Sequence, residues 1–431
     1  MNSSERIIFS GLGAVCGAGL TIQAIWDSVI NGRSAIGPVQ QWSNGSGPVG
    51  QAAEVVGVRA QTLVEDRKLH KFLSRTDLFG LYAAQIAVRE SGLLPYREKL
   101  DPSSTVLFND RTGVFVGSGG GAYSSNYEFF PLMTLAKGDL QAFGRELSSL
   151  INPMWLLTHL PNNVLCYTGI QHGFKGTNAC ITNQCVGGIM ALAEAAAAIR
   201  AGEADRAVAV GHDAPIEPET LLHYHRLGLL TDETLRPFDR ERSGTVFGEG
   251  AAAAVLEASS AISARHAPSL GEFLGAGCVS EGTGLLDVRP DGDGMKRAIE
   301  MALADAGVAP ENVSLIVAHG NGTRASDASE ARAIQSVFGE RQPRVTAFKW
   351  AFGHLIAASG LLDVLLALVA LREKVAPGIP TLRSRDPEFT SLPVSPSPQP
   401  LSGDIAMALC RGFGGMNTAV VLRGASANLP V

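Results

Sequence analysis

Short apolar runs that end at glycines alternate with amphipathic stretches along most of this chain. Arg6 to Gly11 reads as a strand entering a glycine turn, and Thr112 to Val116, Arg206 to Val210 and Ala251 to Leu256 read as further strands. Ile22 to Asn31 has helical spacing and stops at Gly32. Ser74 to Ser91 is a helix with Leu78, Tyr82, Ile86 and Val88 on or near one face, a cap at Ser74 and a stop at Gly92. Ile189 to Ala201 is alanine-rich and reads as a buried helix. Pro38 to Gly57 is rich in Gly, Ser and Gln and reads as an irregular surface loop. Phe129 to His172 is mixed and aromatic, with the character of helical excursions that line a pocket or a dimer contact.

The pattern then echoes itself. Gly271 to Gly277 repeats the opening strand and its glycines, and Met295 to Pro310 repeats the style of Gly80 to Pro95. Ser314 to Val317 enters a glycine-rich turn as Thr112 to Val116 does. Leu355 to Ala370 repeats the apolar helix after Cys185, and Ile405 to Leu409 enters Cys410–Gly415 as Arg206 to Val210 enters Gly211. Alternating strands and helices predict α/β architecture with sheets covered on both faces. The echo predicts two similar halves, 1–258 and 259–431, packed face to face.

Composition narrows the picture. The 431 residues exceed one ordinary core, and 45% hydrophobic with 18% charged residues describes a well-buried protein. A net charge of −6 and the lack of a basic arm argue against nucleic acid as a partner. No apolar run is long enough to span a bilayer; Leu355 to Leu371 comes closest but contains Ser359 and Asp363. Six scattered cysteines with no CxxC pair, behind an opening that lacks an apolar signal core, predict reduced thiols in the cytoplasm.

Candidate chemistry centres on Cys185, in Asn183-Gln184-Cys185-Val186-Gly187-Gly188. It stands where a polar stretch meets the alanine-rich helix, and a helix N-terminus favours the thiolate, the nucleophilic form. The second half offers His319 after a strand, His354 before an apolar helix with Lys349 five residues earlier, and Phe413 in a glycine turn. Gly117 to Ala122 fits a GxGxxA dinucleotide pattern formally, but Tyr123 to Tyr127 makes a poor helix start. Gly11 to Cys16 half-resembles the same fingerprint. His223-x-His225 has metal-ligand spacing without an evident third ligand, so no metal is expected.

Taken in order, these motifs resemble the β-ketoacyl-[acyl carrier protein] synthases of the thiolase-fold superfamily, almost end to end. Cys185 falls at the family nucleophile, before a helix ending in Gly202-Glu203-Ala204-Asp205. His319-Gly320-Asn321-Gly322-Thr323 is similar to the family's His-Gly-Thr-Gly-Thr turn, with Asp327 and Glu330 following. Lys349 and Gly353-His354-Leu355 match the Lys…Gly-His-Leu element, and Arg236–Asp239 and Gly412–Gly415 match two further signatures. The resemblance implies a thiolase-like fold in five α-β-α-β-α layers. It implies decarboxylative condensation of a Cys185-bound acyl group with malonyl-acyl carrier protein, with His319 and His354 stabilising the enolate. Lys349 would order the histidines with Glu330, Phe413 would gate the acyl-cysteine, and Asn321 and Thr323 would hold the phosphopantetheine arm. It thus implies Cys185, His319, His354 and Lys349 as catalytic, and Asn321, Thr323, Phe413 and Glu330 as substrate-binding. It implies no cofactor beyond the carrier's own arm, acyl carrier protein as partner, and a homodimer or a heterodimer with a related chain.

Departures from the family pattern sit near the nucleophile and the turns: Gln184 and Val186 flank the thiol, Asn321 and Met416 replace threonines, and Trp350 and Phe352 are bulky beside His354. They point to specialised polyketide synthesis over housekeeping fatty-acid synthesis. Alternatives are a catalytic or chain-length-setting subunit of a heterodimer, or a cysteine-dependent acyltransferase or thiolase. A nucleotide-dependent oxidoreductase would rest on Gly117 to Ala122 alone.

Overall fold

A computed structural model describes residues 5–41, 49–120 and 124–425. Its frame is ten strands: β1 (Ile7–Cys16), β2 (Thr112–Ser118), β3 (Asn178–Ile181), β4 (Arg206–Asp213), β5 (Gly250–Ala258), β6 (Gly271–Ser280), β7 (Leu315–Val317), β8 (Arg344–Thr346), β9 (Ile405–Gly412) and β10 (Met416–Gly424). They hydrogen-bond in the order β8-β7-β9-β10-β6-β1-β5-β4-β2-β3. Read outward from the middle, each side follows the same path. β2 is parallel to β3 and β4, while β4, β5 and β1 run antiparallel. β7 is parallel to β8 and β9, while β9, β10 and β6 run antiparallel. β1 and β6 join the two five-stranded sheets only over Ile7–Phe9 and Gly271–Phe273.

Six helices position the layers: α1 (Arg75–Ser91), α2 (Gly187–Arg200), α3 (Pro218–Arg226), α4 (Asp293–Ala306), α5 (Arg324–Phe338) and α6 (Ser359–Glu373). α1 packs on β1, β5 and β4, and α4 packs on β6 and β10. α2 and α6 lie together between the sheets, α2 against β4 and β2, α6 against β9 and β10. This is the thiolase-like α-β-α-β-α arrangement. A helix sandwiched between two sheets has no solvent face, which is why every residue from Leu361 to Leu371 is buried. The apolar stretch from Leu355 is thus a core helix. Among the described residues no helix is long and apolar enough to cross a membrane.

Local signals read from sequence hold in α1. Ser74 and Asp77 form a reciprocal capping box, and Gly92 ends the helix at φ +70°. The opening glycines do not turn the chain: β1 continues through them to Cys16. A side chain at Gly11 or Gly13 would come within 2.1 Å of the carbonyls of Ala87 or Ala83, so these glycines let α1 press onto the strand. Gly275 and Gly277 do the same for α4 on β6. The half-fingerprint is therefore a packing device, repeated in both halves. Gly117 and Ser118 likewise belong to β2, while Gly121, Ala122 and Tyr123 lie outside the described residues. Part of the 38–57 loop does too; its flanks Gly37–Pro38 and Gln51–Ala52 pair as a small antiparallel bridge.

Candidate active site

Cys185 sits in a three-residue turn, Gln184–Val186, that opens α2. Gln184 adopts φ +43°, a left-handed conformation that costs a residue with a side chain about 1–2 kcal/mol. The second half builds the same elbow: Ile356 at φ +46° starts the turn Ile356–Ala358 that opens α6. Ala357 thus occupies the place in the second elbow that Cys185 holds in the first. Of the two elbows, the first carries a thiol at its centre and the second a methyl group.

The second half brings the histidines to that thiol. Cys185, His319, His354, Asn321, Thr323 and Phe413 all line one cavity of about 90 Å³. The imidazole rings of His319 and His354 meet edge to face, with centroids 5.2 Å apart. His319 Nδ1 accepts the backbone N–H of Arg411 at 3.3 Å, and His354 Nδ1 accepts that of Ile356 at 3.0 Å. A backbone N–H only donates, so both Nδ1 atoms are unprotonated and both neutral rings carry their proton on Nε2. Burial, followed by the charge of Lys349, holds both imidazoles well below the usual histidine range. The site therefore presents two neutral N–H donors.

Three sequence expectations change here. Glu330 does not line the cavity. Its buried carboxylate accepts the N–H groups of His319 at 2.7 Å and Gly320 at 3.0 Å, so it positions the histidine turn instead of binding substrate. Lys349 is paired with Asp363, not Glu330: Nζ donates to Asp363 Oδ2 at 3.1 Å with both side chains fully buried. Burial pulls the ammonium down, but Asp363 overrides it and the lysine stays charged. Cys185 also departs from expectation: burial pushes its thiol up to about 12, against the pull of Lys349. Desolvation outweighs the helix terminus, and the resting group is a thiol. Alkylation of Cys185 by iodoacetamide, read by peptide mass, should accordingly rise about tenfold per pH unit from pH 7 to 10. A plateau near pH 7 would instead reveal a stabilised thiolate.

Asn321 Oδ1 accepts both the N–H (2.9 Å) and the hydroxyl (2.8 Å) of Thr323, fixing the entrance to α5. Phe413 lies in the turn after β9, its ring 5.5 Å from that of Tyr224. Tyr224 and Phe247, which escaped the sequence reading, complete the aromatic wall, and Val246 and Gly248 hold the backbone of His354. Ser359 Oγ lies 3.2 Å from His354 Nδ1, and the Cys410 thiol donates to the Cys185 carbonyl at 3.3 Å. Cys180 stands apart on β3, bonded to the Pro161 carbonyl. Gly117 packs against the backbone of Gly187, a close contact between β2 and α2, which accounts for the glycine without any nucleotide. Among the described residues no group of three or more His, Cys, Asp or Glu could hold a metal ion.

Comparison with known proteins finds relatives along the whole chain. Residues 4–261 match the beta-ketoacyl synthase N-terminal domain, and residues 270–383 match the C-terminal domain. The chain is 30% identical to the 3-oxoacyl-[acyl-carrier-protein] synthase 2 of Synechocystis sp., over 97% of this chain and 98% of that one. It is 30% identical to Nodulation protein E of Rhizobium meliloti, covering 97% and 99%. Among solved structures, the ishigamide ketosynthase/chain length factor superposes with a TM-score of 0.86 at 25% identity, covering 98% of this chain and 100% of that one. A beta-ketoacyl synthase from Burkholderia phymatum superposes at 0.84 and 24% identity, with the same coverage, and supports the fold. With two domain matches spanning most of its length, and the cysteine and paired histidines meeting in one cavity, this chain belongs to the β-ketoacyl synthase family.

Proposed function

We propose that the protein condenses an acyl group held on Cys185 with malonyl-acyl carrier protein, releasing CO2 and giving β-ketoacyl-acyl carrier protein. The observation that carries this reading is the pair of neutral Nε2–H donors beside the thiol. In the first step the Cys185 sulfur bonds to the acyl carbonyl and the thioester C–S bond breaks; the thiol proton ends on the departing pantetheine sulfur. Backbone N–H groups at Cys185 and the Phe413 turn stabilise the tetrahedral oxyanion. Malonyl thioester then loses CO2, and the negative charge collects on its thioester oxygen, where His319 and His354 donate. The enolate carbon attacks the acyl carbonyl, the cysteine sulfur leaves, and one proton from solvent restores the thiol. Neutral imidazoles suit this task, because they donate without titrating near pH 7.

In this reading burial, helped by Lys349 held on Asp363, keeps the imidazoles neutral; Asn321 and Thr323 grip the pantetheine arm; and Phe413 gates the acyl chain. The halves 1–258 and 259–431 supply nucleophile and donors respectively, in the cytoplasm, with no resident cofactor. Polyketide assembly is favoured over housekeeping fatty-acid synthesis by Gln184 and Val186 beside the thiol. A second copy or a related chain is the expected subunit partner. The helix Leu140–Leu150 buries none of its residues, and Phe130, Met133, Leu140 and Leu150 are exposed, an apolar face of the kind a subunit covers.

Intact-mass measurement after incubation with a panel of acyl-carrier proteins tests the reading. An acyl adduct on Cys185 that is discharged only when malonyl-carrier is added, with release of CO2, is the expected result. Discharge without CO2 would identify a plain acyltransferase instead.

A further inference from the structure

The catalytic cavity continues past Phe413 and Ile356 into a larger one of about 910 Å³, and both residues line both spaces. The wall of this outer cavity next to the thiol is polar. Gln184 is bonded directly to Cys185 and lines it, and its Nε2 donates to the Gly119 carbonyl at 2.8 Å. Gly119 lies against Asp213: a Cβ there would fall 1.8 Å from Asp213 Oδ2, so the carboxyl group fills the space beside the glycine. Asp213 Oδ1 accepts the Ala214 N–H at 2.8 Å, and Asp213 also lines the cavity. Gln184 and the Asp213 carboxyl thus lie on either side of Gly119 as a polar shelf on the wall of the outer cavity, one residue along the chain from Cys185.

We propose, resting on the function given above, that Gln184 and Asp213 are specificity residues selecting an acyl chain with a hydroxyl or carbonyl oxygen a few carbons from the thioester. A saturated chain laid on the shelf removes water from both groups and returns no hydrogen bond, whereas an oxygenated chain supplies the partner. Burial lifts the Asp213 carboxyl to about 7, against the N–H groups of Ala214 and Ala357. Near neutrality it can therefore both donate to a carbonyl and accept from a hydroxyl. Beyond the shelf, Ile216, Leu227 and Phe413 give apolar walls for the remaining carbons.

The test uses the full chain and eight-carbon N-acetylcysteamine thioesters that are unsubstituted, or carry a hydroxyl or an oxo group at C3 or C5. The initial rate of Cys185 acylation is read by intact mass. The oxygenated chains are expected to acylate at least about tenfold faster than the unsubstituted one. Gln184→Leu and Asp213→Leu should move that ratio toward one; if Asp213→Leu does not fold, Gln184→Leu makes the same comparison. An unsubstituted chain that reacts as fast as the oxygenated ones, or variants that slow every chain by one common factor, would overturn the inference alone. No adduct with any thioester, alongside none with acyl-carrier proteins, would overturn the proposed function and this inference with it.

Discussion

Cys185→Ala should lose condensation by on the order of 10⁶-fold, down to background, because no other group at the site can carry the acyl chain. Intact mass should show no acyl adduct on this variant. Cys410 is a second thiol against the Cys185 turn; it is buried, its thiol donates to the Cys185 carbonyl, and burial raises it well above the usual thiol range. An adduct persisting on Cys185→Ala would assign the nucleophile elsewhere. The loss should come without collapse of the fold, since the cysteine is replaced by the residue already found at Ala357 in the matching elbow.

His319→Ala and His354→Ala should separate the two half-reactions. Each should still acylate Cys185, while release of CO2 from malonyl-carrier falls about 10²–10³-fold, the usual cost of one lost oxyanion donor. His354→Gln, which can present an amide N–H, should keep more activity than His354→Ala. The comparison must be made on folded protein, because His354→Ala leaves the Ile356 N–H without its acceptor. Decarboxylation at the full wild-type rate in either alanine variant would remove that histidine from the enolate site.

Much of the site was legible as spacing. Cys185 before a helix, His319 after a strand, His354 before an apolar run and Phe413 in a glycine turn all fall where the sequence places them. The capping box at Ser74 and Asp77 was half legible, through Ser74 alone. Asp363 was not legible as a partner for Lys349: it stands fourteen residues later, inside a helix that otherwise reads as apolar. Glu330 was visible, but its work was not, because only the folded turn aims two backbone N–H groups at one carboxylate. Tyr224 and Phe247 carried no signal; a lone aromatic residue reads the same in any core.

The sequence by itself determined the alternation of elements, the repeat, and the residue types that meet at the site. These depend on local periodicity and on order along the chain, which survive without a fold. Only the tertiary structure decided the charge states. The thiol pushed up to about 12, the two histidines kept neutral and the lysine kept charged follow from how far each group is removed from water and which dipoles face it. Desolvation is a property of the packed whole. A helix start that favours a thiolate on paper therefore holds a neutral thiol once two sheets close over it.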